Sequence, residues 1–465
     1  MPHTSQFSSL YQVLATLSAL LIQIVVGINE GWPSVYGPVL LESFNITTSE
    51  EAWIVQAMNI GELLGCLVSL PAVDRFGRKM SMLGASLPYL LAPTLLAYAT
   101  TTPLFCLARL ISGLAMGISN TTIFSYLGEI SHPTIRGKLT MCLYILNLLG
   151  IVLINVVGSS FNIRNSSFST VGIVLVFVLT FVWMPESPYF DVMKKNFDRA
   201  RKSLVKLRGH PDVDEDLDQI KETVKIQTEH EGKFKDLFVV KSNRRALVVA
   251  FIVLGSKHLI VDGIIDAYGQ TIFQILVPNV SPTLVIVVYY TLEIFTAFFA
   301  SCLVDKLGRR PMILVALFAS GLAILTVGTY LYLKLHTSTD LRYMNTVPAT
   351  AIGVFAIFYS FLYSIPATLL SELFPMNVKT FASFLATLYF STISIINITF
   401  YQVTTCNFGM DVPFLTLGVS FFVHFVLVYI FVFETKGKSL GDIQRHLETV
   451  TTESTAICIT YNEEC

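Results

Sequence analysis

The chain has 465 residues, 53% of them hydrophobic and only 14% charged, with a net charge of −1 and a mean hydropathy of +0.64. Soluble domains carry about 25% charged residues, so most of this surface must face lipid rather than water. The near-zero net charge gives no basic field of the kind that a nucleic-acid partner requires. The cysteines (66, 106, 142, 302, 406, 458 and 465) show neither a metal-ligand spacing nor a disulfide framework, and Cys in an apolar run is a small hydrophobe.

About 20 apolar residues cross the hydrocarbon core of a bilayer. By that rule twelve spans are predicted, near 10–31, 52–73, 80–100, 103–126, 139–159, 168–186, 246–268, 283–304, 311–333, 346–372, 381–403 and 412–433. The first lacks a basic flank, since Arg75 is the first cation of the chain. It therefore reads as a spanning helix rather than a signal peptide.

Spans two and three are joined by Asp74-Arg75-Phe76-Gly77-Arg78-Lys79, and the same loop returns between spans eight and nine as Asp305-Lys306-Leu307-Gly308-Arg309-Arg310. The glycine permits a sharp turn. Two more echoes follow in the same order. The run from Glu129 to Arg136 matches that from Glu372 to Lys379, and Pro185-Glu186-Ser187-Pro188 matches Phe433-Glu434-Thr435-Lys436-Gly437. A chain that repeats three elements in order has the plan of a transporter built from two halves. Between the halves, 187–245 is rich in charge, with Leu204, Leu207, Leu217 and Ile220 at helical spacing and an acidic cluster over Asp212–Asp218. It reads as a solvated linker or as a latch between the halves. The tail from Ser439 is polar, and Cys458 and Cys465 are candidates for palmitoylation.

Most of the 31 Lys and Arg fall on the side of the basic loops. Arg109 and Lys257 lie within spans; Arg164, Lys334 and Arg342 lie on the opposite side. The basic side is therefore expected to be cytoplasmic, with both termini there. The sequons at Asn45 and Asn165, and a weaker one at Asn279, fall in predicted outside loops, whereas those at Asn120 and Asn397 fall inside spans and should be unused.

Together the basic loop, the Glu129 and Glu372 motifs and the two Glu186 and Glu434 endings resemble the sugar porter family of the major facilitator superfamily. Pro185 to Phe190, with Leu207-Arg208-Gly209 soon after, looks most like the insect facilitated trehalose transporters. The resemblance covers roughly Leu10 to Leu447. It implies an all-α membrane protein of twelve helices, with six-helix halves over 1–186 and 246–433, a cytoplasmic linker over 187–245 and a tail over 434–465. It further implies plasma-membrane transport of a sugar (trehalose or hexose-like) or a polyol by alternating access, with a small solute and membrane lipid as partners. No nucleophile-plus-base signature, phosphate loop, metal site or cofactor motif is present, so neither an enzyme nor ATP-driven transport is expected. In the family, charges matching Arg78, Glu129, Arg136, Glu186, Arg309, Glu372, Lys379 and Glu434 form ion pairs of the inner gate.

The expected cavity departs from the family. Where its members place amides and a Trp, this chain aligns Tyr144, Lys257, His258, Gly263, Glu293, Ala367 and Phe390. Candidate cavity residues are therefore Tyr144, Lys257, His258, Asp262, Tyr268, Glu293 and Tyr363. His258, Asp262 and Asp266 recur every four residues and share a helix face. Glu62 sits mid-span, and Asn29 stands where proton-coupled relatives have Asp, with Glu30 beside it. Ionisable groups in a span should face a wet cavity or one another, so Glu293 is expected to face the cavity with Lys257 or His258 as its partner. The readings kept open are proton coupling, a carrier of a charged metabolite, and a non-transporting sensor on the same scaffold.

Overall fold

The computed structural model describes residues 10–131, 136–229, 234–258, 261–337, 346–374 and 376–436, with 442, 443, 445 and 447 beyond. The first half comprises α1 (Leu10–Ser43), α2 (Thr48–Phe76), α3 (Arg78–Tyr98), α4 (Thr102–Ile130), α5 (Arg136–Ser160) and α6 (Ile163–Phe181). Four short helices follow: α7 (Pro188–Met193), α8 (Phe197–Arg208), α9 (Asp214–Glu229) and α10 (Asp236–Val239). The second half comprises α11 (Lys241–His258), α12 (Asp262–Leu276), α13 (Pro282–Leu307), α14 (Arg309–His336), α15 (Thr346–Leu373), α16 (Met376–Phe408) and α17 (Asp411–Phe431). Among the described residues eleven helices are long and apolar enough to cross a membrane, and the protein is a multi-pass membrane protein.

The seventh predicted span is the exception. Instead of one helix over 246–268, the chain forms α11 and α12, which end and begin at His258 and Asp262. Residues 259 and 260 between them lie outside the described residues, and Gly263, Asp266 and Ala267 of α12 line a cavity.

Close backbone approach organises the first half. A Cβ added at Gly61 would lie 2.1 Å from the Leu110 carbonyl oxygen, and one at Gly65 would lie 2.3 Å from that of Leu114. In return, Gly113 and Gly117 face the carbonyl oxygens of Met58 and Glu62 at 2.0 and 2.2 Å. Two glycine pairs at four-residue spacing thus let α2 and α4 touch backbone to backbone, the small-residue packing that membrane helices favour in place of a hydrophobic driving force. Gly27 on α1 meets the Asn147 carbonyl of α5 in the same way, at 1.9 Å. The second half packs with larger groups: Tyr289, Phe355, Tyr359 and Phe421 form a run of ring contacts across α13, α15 and α17.

The segment between the halves has a core of its own, made by Val192, Ala200, Leu204, Val213, Leu217, Ile220 and Val224. Arg201–Asp214 (3.0 Å) and Arg208–Asp216 (2.7 Å) brace α8 against α9. Leu207 turns the other way into the core of the first half, and Arg208 donates to the Ile130 carbonyl at 3.2 Å. Of the two expected states, a solvated linker describes the exposed face alone. Burial pushes the Asp191 carboxyl up to about 6, although Arg199 lies 3.5 Å away.

Adding one methyl where backbones touch should cost about 1–3 kcal/mol, the usual price of overpacking. Gly113→Ala is accordingly expected to lower the thermal midpoint of the detergent-solubilised protein by several degrees. Gly84→Ala, whose added Cβ meets nothing within 4 Å, should leave it unchanged.

Candidate functional site

The two halves meet through α1 and α12, α2 and α16, and α5 and α13. Between them lies a cavity of about 110 Å³. From the first half come Glu30 and Pro33 of α1, Asn59 and Glu62 of α2, Arg109 of α4, and Tyr144 and Asn147 of α5. From the second come Gly263, Asp266 and Ala267 of α12, Tyr359 and Tyr363 of α15, and Phe390, Ser394 and Asn397 of α16.

Its polar groups are held in place. Asn147 donates its amide to Glu30 Oε2 at 2.7 Å. Asn59 donates to Gln56 at 3.2 Å, and Gln56 in turn donates across the seam to the Thr399 hydroxyl at 2.6 Å and the Ile395 carbonyl at 2.9 Å. The Tyr290 hydroxyl donates to Asp266. Arg109 is fully buried, and its Nη1 donates to the Asn29 carbonyl at 2.8 Å while the guanidinium lies over the Trp32 ring at 5.2 Å. An aromatic face and a carbonyl together offset part of the cost of burying that charge. Asparagines that both donate and accept, beside aromatic faces, suit a ligand carrying hydroxyls on an apolar ring.

The sequence-based candidates divide. Tyr144 and Tyr363 line the cavity, and their rings stack at 3.6 Å. Tyr268 lies outside the lining; it packs on Tyr401 at 5.1 Å and accepts a hydrogen bond from Gln402. Glu293 is fully buried but stands behind the wall, where it accepts from the Tyr144 hydroxyl at 3.4 Å. The Tyr144 ring holds the wall position in its place. The side chains of Lys257, His258 and Asp262 lie outside the described residues, as do those of Arg136, Glu372 and Lys379.

The other repeated charges act close to home. Arg78 pairs with Glu129 at 2.9 Å, and the Ser187 hydroxyl donates to the same carboxylate. Glu186 accepts from the backbone N–H groups of Arg78 and Lys79, both at 3.0 Å. Glu434 accepts from those of Arg309 and Arg310, at 3.1 and 3.0 Å. Each acid therefore caps the helix that starts at the basic loop, where a carboxylate also meets the positive end of the helix dipole. Gly77 and Gly308 take φ of 93° and 100° so that the loop can pass beneath these carboxylates. All of these contacts lie within one half.

Sequence reading missed Asn59, Asn147 and Asn397 as cavity groups, and it treated Arg109 only as an intramembrane cation. Helical spacing held part of the signal: Asn147 falls one turn from Tyr144, and Asn59 one turn from Glu62.

The profile of the sugar (and other) transporter family matches residues 7–447. The chain belongs to that family. It is 28% identical over 457 residues to the facilitated trehalose transporter Tret1 of Anopheles gambiae, covering 96% of this chain but 57% of that protein. It is 27% identical to Tret1 of Culex quinquefasciatus, covering 94% of this chain and 86% of the relative. Among solved structures, a partially occluded inward-open form of the xylose transporter XylE from E. coli superposes with a TM-score of 0.78 at 18% identity, covering 93% of this chain and 100% of the other. The XylE proton:xylose symporter bound to 6-bromo-6-deoxy-D-glucose gives 0.77 at 19% identity, covering 95% and 100%. The fold is therefore the two-half major facilitator fold expected from the sequence.

Arg109→Lys keeps the charge but cannot both lie flat on Trp32 and reach the Asn29 carbonyl. Losing one buried hydrogen bond and a cation–π contact should cost about 2–3 kcal/mol, read as a lower thermal midpoint in the absence of any solute.

Proposed function

We propose that the protein carries a sugar or polyol across the plasma membrane by alternating access, down its gradient. The observation that carries this reading is the polar cavity itself. It is built from both halves, sits at mid-span and is walled by asparagines and tyrosines, in a chain of the sugar transporter family. The relatives named as trehalose transporters make a disaccharide the first solute to test, with hexoses and xylose beside it. In this reading 1–186 and 246–433 rock against each other, 187–245 ties them, and Arg78, Glu129, Glu186, Arg309 and Glu434 brace the loops at the ends of the moving helices. Arg136, Glu372 and Lys379 complete that set of gate charges.

The basic loops and both termini face the cytoplasm, following the distribution of Lys and Arg. Asn45 is exposed in the connection between α1 and α2, with φ of 51°, which this topology puts on the outer face. Asn165 is exposed but lies in the first turn of α6 rather than in a free loop. Asn45→Gln and Asn165→Gln should each reduce a glycosidase-sensitive gel shift, while Asn120→Gln should not alter it. Modification at Asn120 would overturn this topology.

The carboxylates of Glu30, Glu62 and Asp266 in the wall support a second reading, proton-coupled uptake. Uptake of labelled trehalose, glucose, fructose, xylose and polyols into proteoliposomes separates the two. A facilitator should equilibrate its solute without accumulating it, whatever proton gradient is imposed. Accumulation driven by an inward proton gradient would establish coupling, and no uptake of any solute would overturn the transport reading.

A further inference from the structure

We infer that the stacked pair Tyr144 and Tyr363 is the barrier that seals the cavity toward the basic face, and that Tyr144 is the side chain that must swing for the solute to pass. This rests on the cavity being the transport path.

Depth along the helices carries the argument. At 1.5 Å of rise per residue, Tyr144 lies roughly 12 Å from the Arg136 end of α5, and Tyr363 roughly 15 Å from the Leu373 end of α15. On the same scale Glu62 and Met116, the lining residues of α2 and α4 nearest that face, lie roughly 21 Å from Phe76 and Ile130. The two tyrosines therefore form the floor on the side of the basic loops. Their ring centroids are 3.6 Å apart with planes inclined by 15°, which leaves no space for water between them.

The pair also joins the two halves, since α5 belongs to the first and α15 to the second. Among the described residues, three further contacts across the seam lie nearer the opposite face. Ser34 of α1 accepts from the Gln270 backbone at 3.0 Å, Asn155 of α5 accepts from the Gln270 side chain at 3.3 Å, and Gln56 reaches α16. A solute leaving toward the basic face leaves those contacts intact and meets the tyrosines.

Glu293 explains how the ring is held. Its carboxylate takes the Tyr144 hydroxyl at 3.4 Å, while its backbone carbonyl accepts from Ser360 of α15 at 3.1 Å. At that length the hydroxyl contact is weak. The hydroxyl thus orients the ring while the stack makes the seal. Tyr144 acts here as a gating residue that touches the solute, and Glu293 as its positioning residue.

The test is one-sided labelling of a reporter cysteine. Ser394→Cys, in the cavity wall, is placed in a variant with the seven native cysteines replaced, in vesicles sorted by sidedness. A membrane-impermeant maleimide is then added to one face at a time. Tyr144→Ala should raise the labelling rate from the basic face roughly three- to tenfold, the range that loss of one stacked pair gives. The rate from the opposite face should stay as it was. Tyr144→Phe, which keeps the stack, should stay within about twofold of the parent on the same scale. Tyr363→Leu should repeat the Ala result, and it is read in place of Tyr144→Ala if that variant does not elute as a monodisperse protein.

Unchanged labelling in Tyr144→Ala and Tyr363→Leu, or an equal rise from both faces, would overturn the assignment. The readout needs no transported solute. If no sugar is taken up but labelling changes on the basic face alone, the barrier stands and the sugar reading fails. The converse result removes the barrier and leaves the sugar reading untouched.

Discussion

Hydrocarbon offers a polar group nothing to bond with, and that single constraint arranges the rest of this molecule. Helices satisfy their own backbone, so the difficulty passes to the side chains. Those that are polar are sent to the seam between the halves, where they bond to one another across it or around an enclosed space. Arg109 illustrates the rule at its most demanding. A fully buried guanidinium is accepted because a backbone carbonyl and an indole face of the neighbouring α1 meet it within a few ångströms. The cavity is thus the place where intramembrane polarity becomes tolerable, which is also what a hydrophilic solute needs.

The repeated loops obey the same constraint at the membrane surface. Glu186 and Glu434 each accept two backbone N–H groups at the start of a helix, groups that no intrahelical partner could satisfy. They lock each loop into its own half. The consequence is a division of labour. Strong, charge-assisted bonds brace the loops within each half, while among the described residues the seam is crossed by neutral hydrogen bonds, a ring stack and the long Tyr144–Glu293 contact, which are easier to exchange. Rocking of one half against the other requires that ordering of strengths.

Much of this was legible in the sequence, for reasons of period and length. Spans are long and apolar, the echoing motifs are local, and their fold followed directly. The cavity was only partly legible. Of the positions where relatives carry amides or a Trp, Tyr144, Gly263 and Phe390 line the cavity, whereas Glu293 stands behind its wall. Asn147 and Asn59 share a helix face with Tyr144 and Glu62 but carry no motif of their own, and Asn397 reads as an idle sequon. Which face of a span looks inward depends on how the neighbouring helices rotate, and a hydropathy pattern that is apolar all round carries almost no record of that rotation.

The glycine contacts between α2 and α4 have a consequence for how such a protein changes over generations. Where two backbones touch, the distance between the helices is fixed by four hydrogen-sized side chains, so no substitution at Gly61, Gly65, Gly113 or Gly117 can be absorbed by repacking. The ring contacts of the second half can be absorbed, since one aromatic can exchange for another with modest adjustment. A lineage exploring new solutes therefore has one wall it can redecorate by small steps and one it must inherit whole. Substitutions should accumulate among the rings of α13, α15 and α17, with the four glycines of the α2–α4 contact carried unaltered from ancestor to descendant.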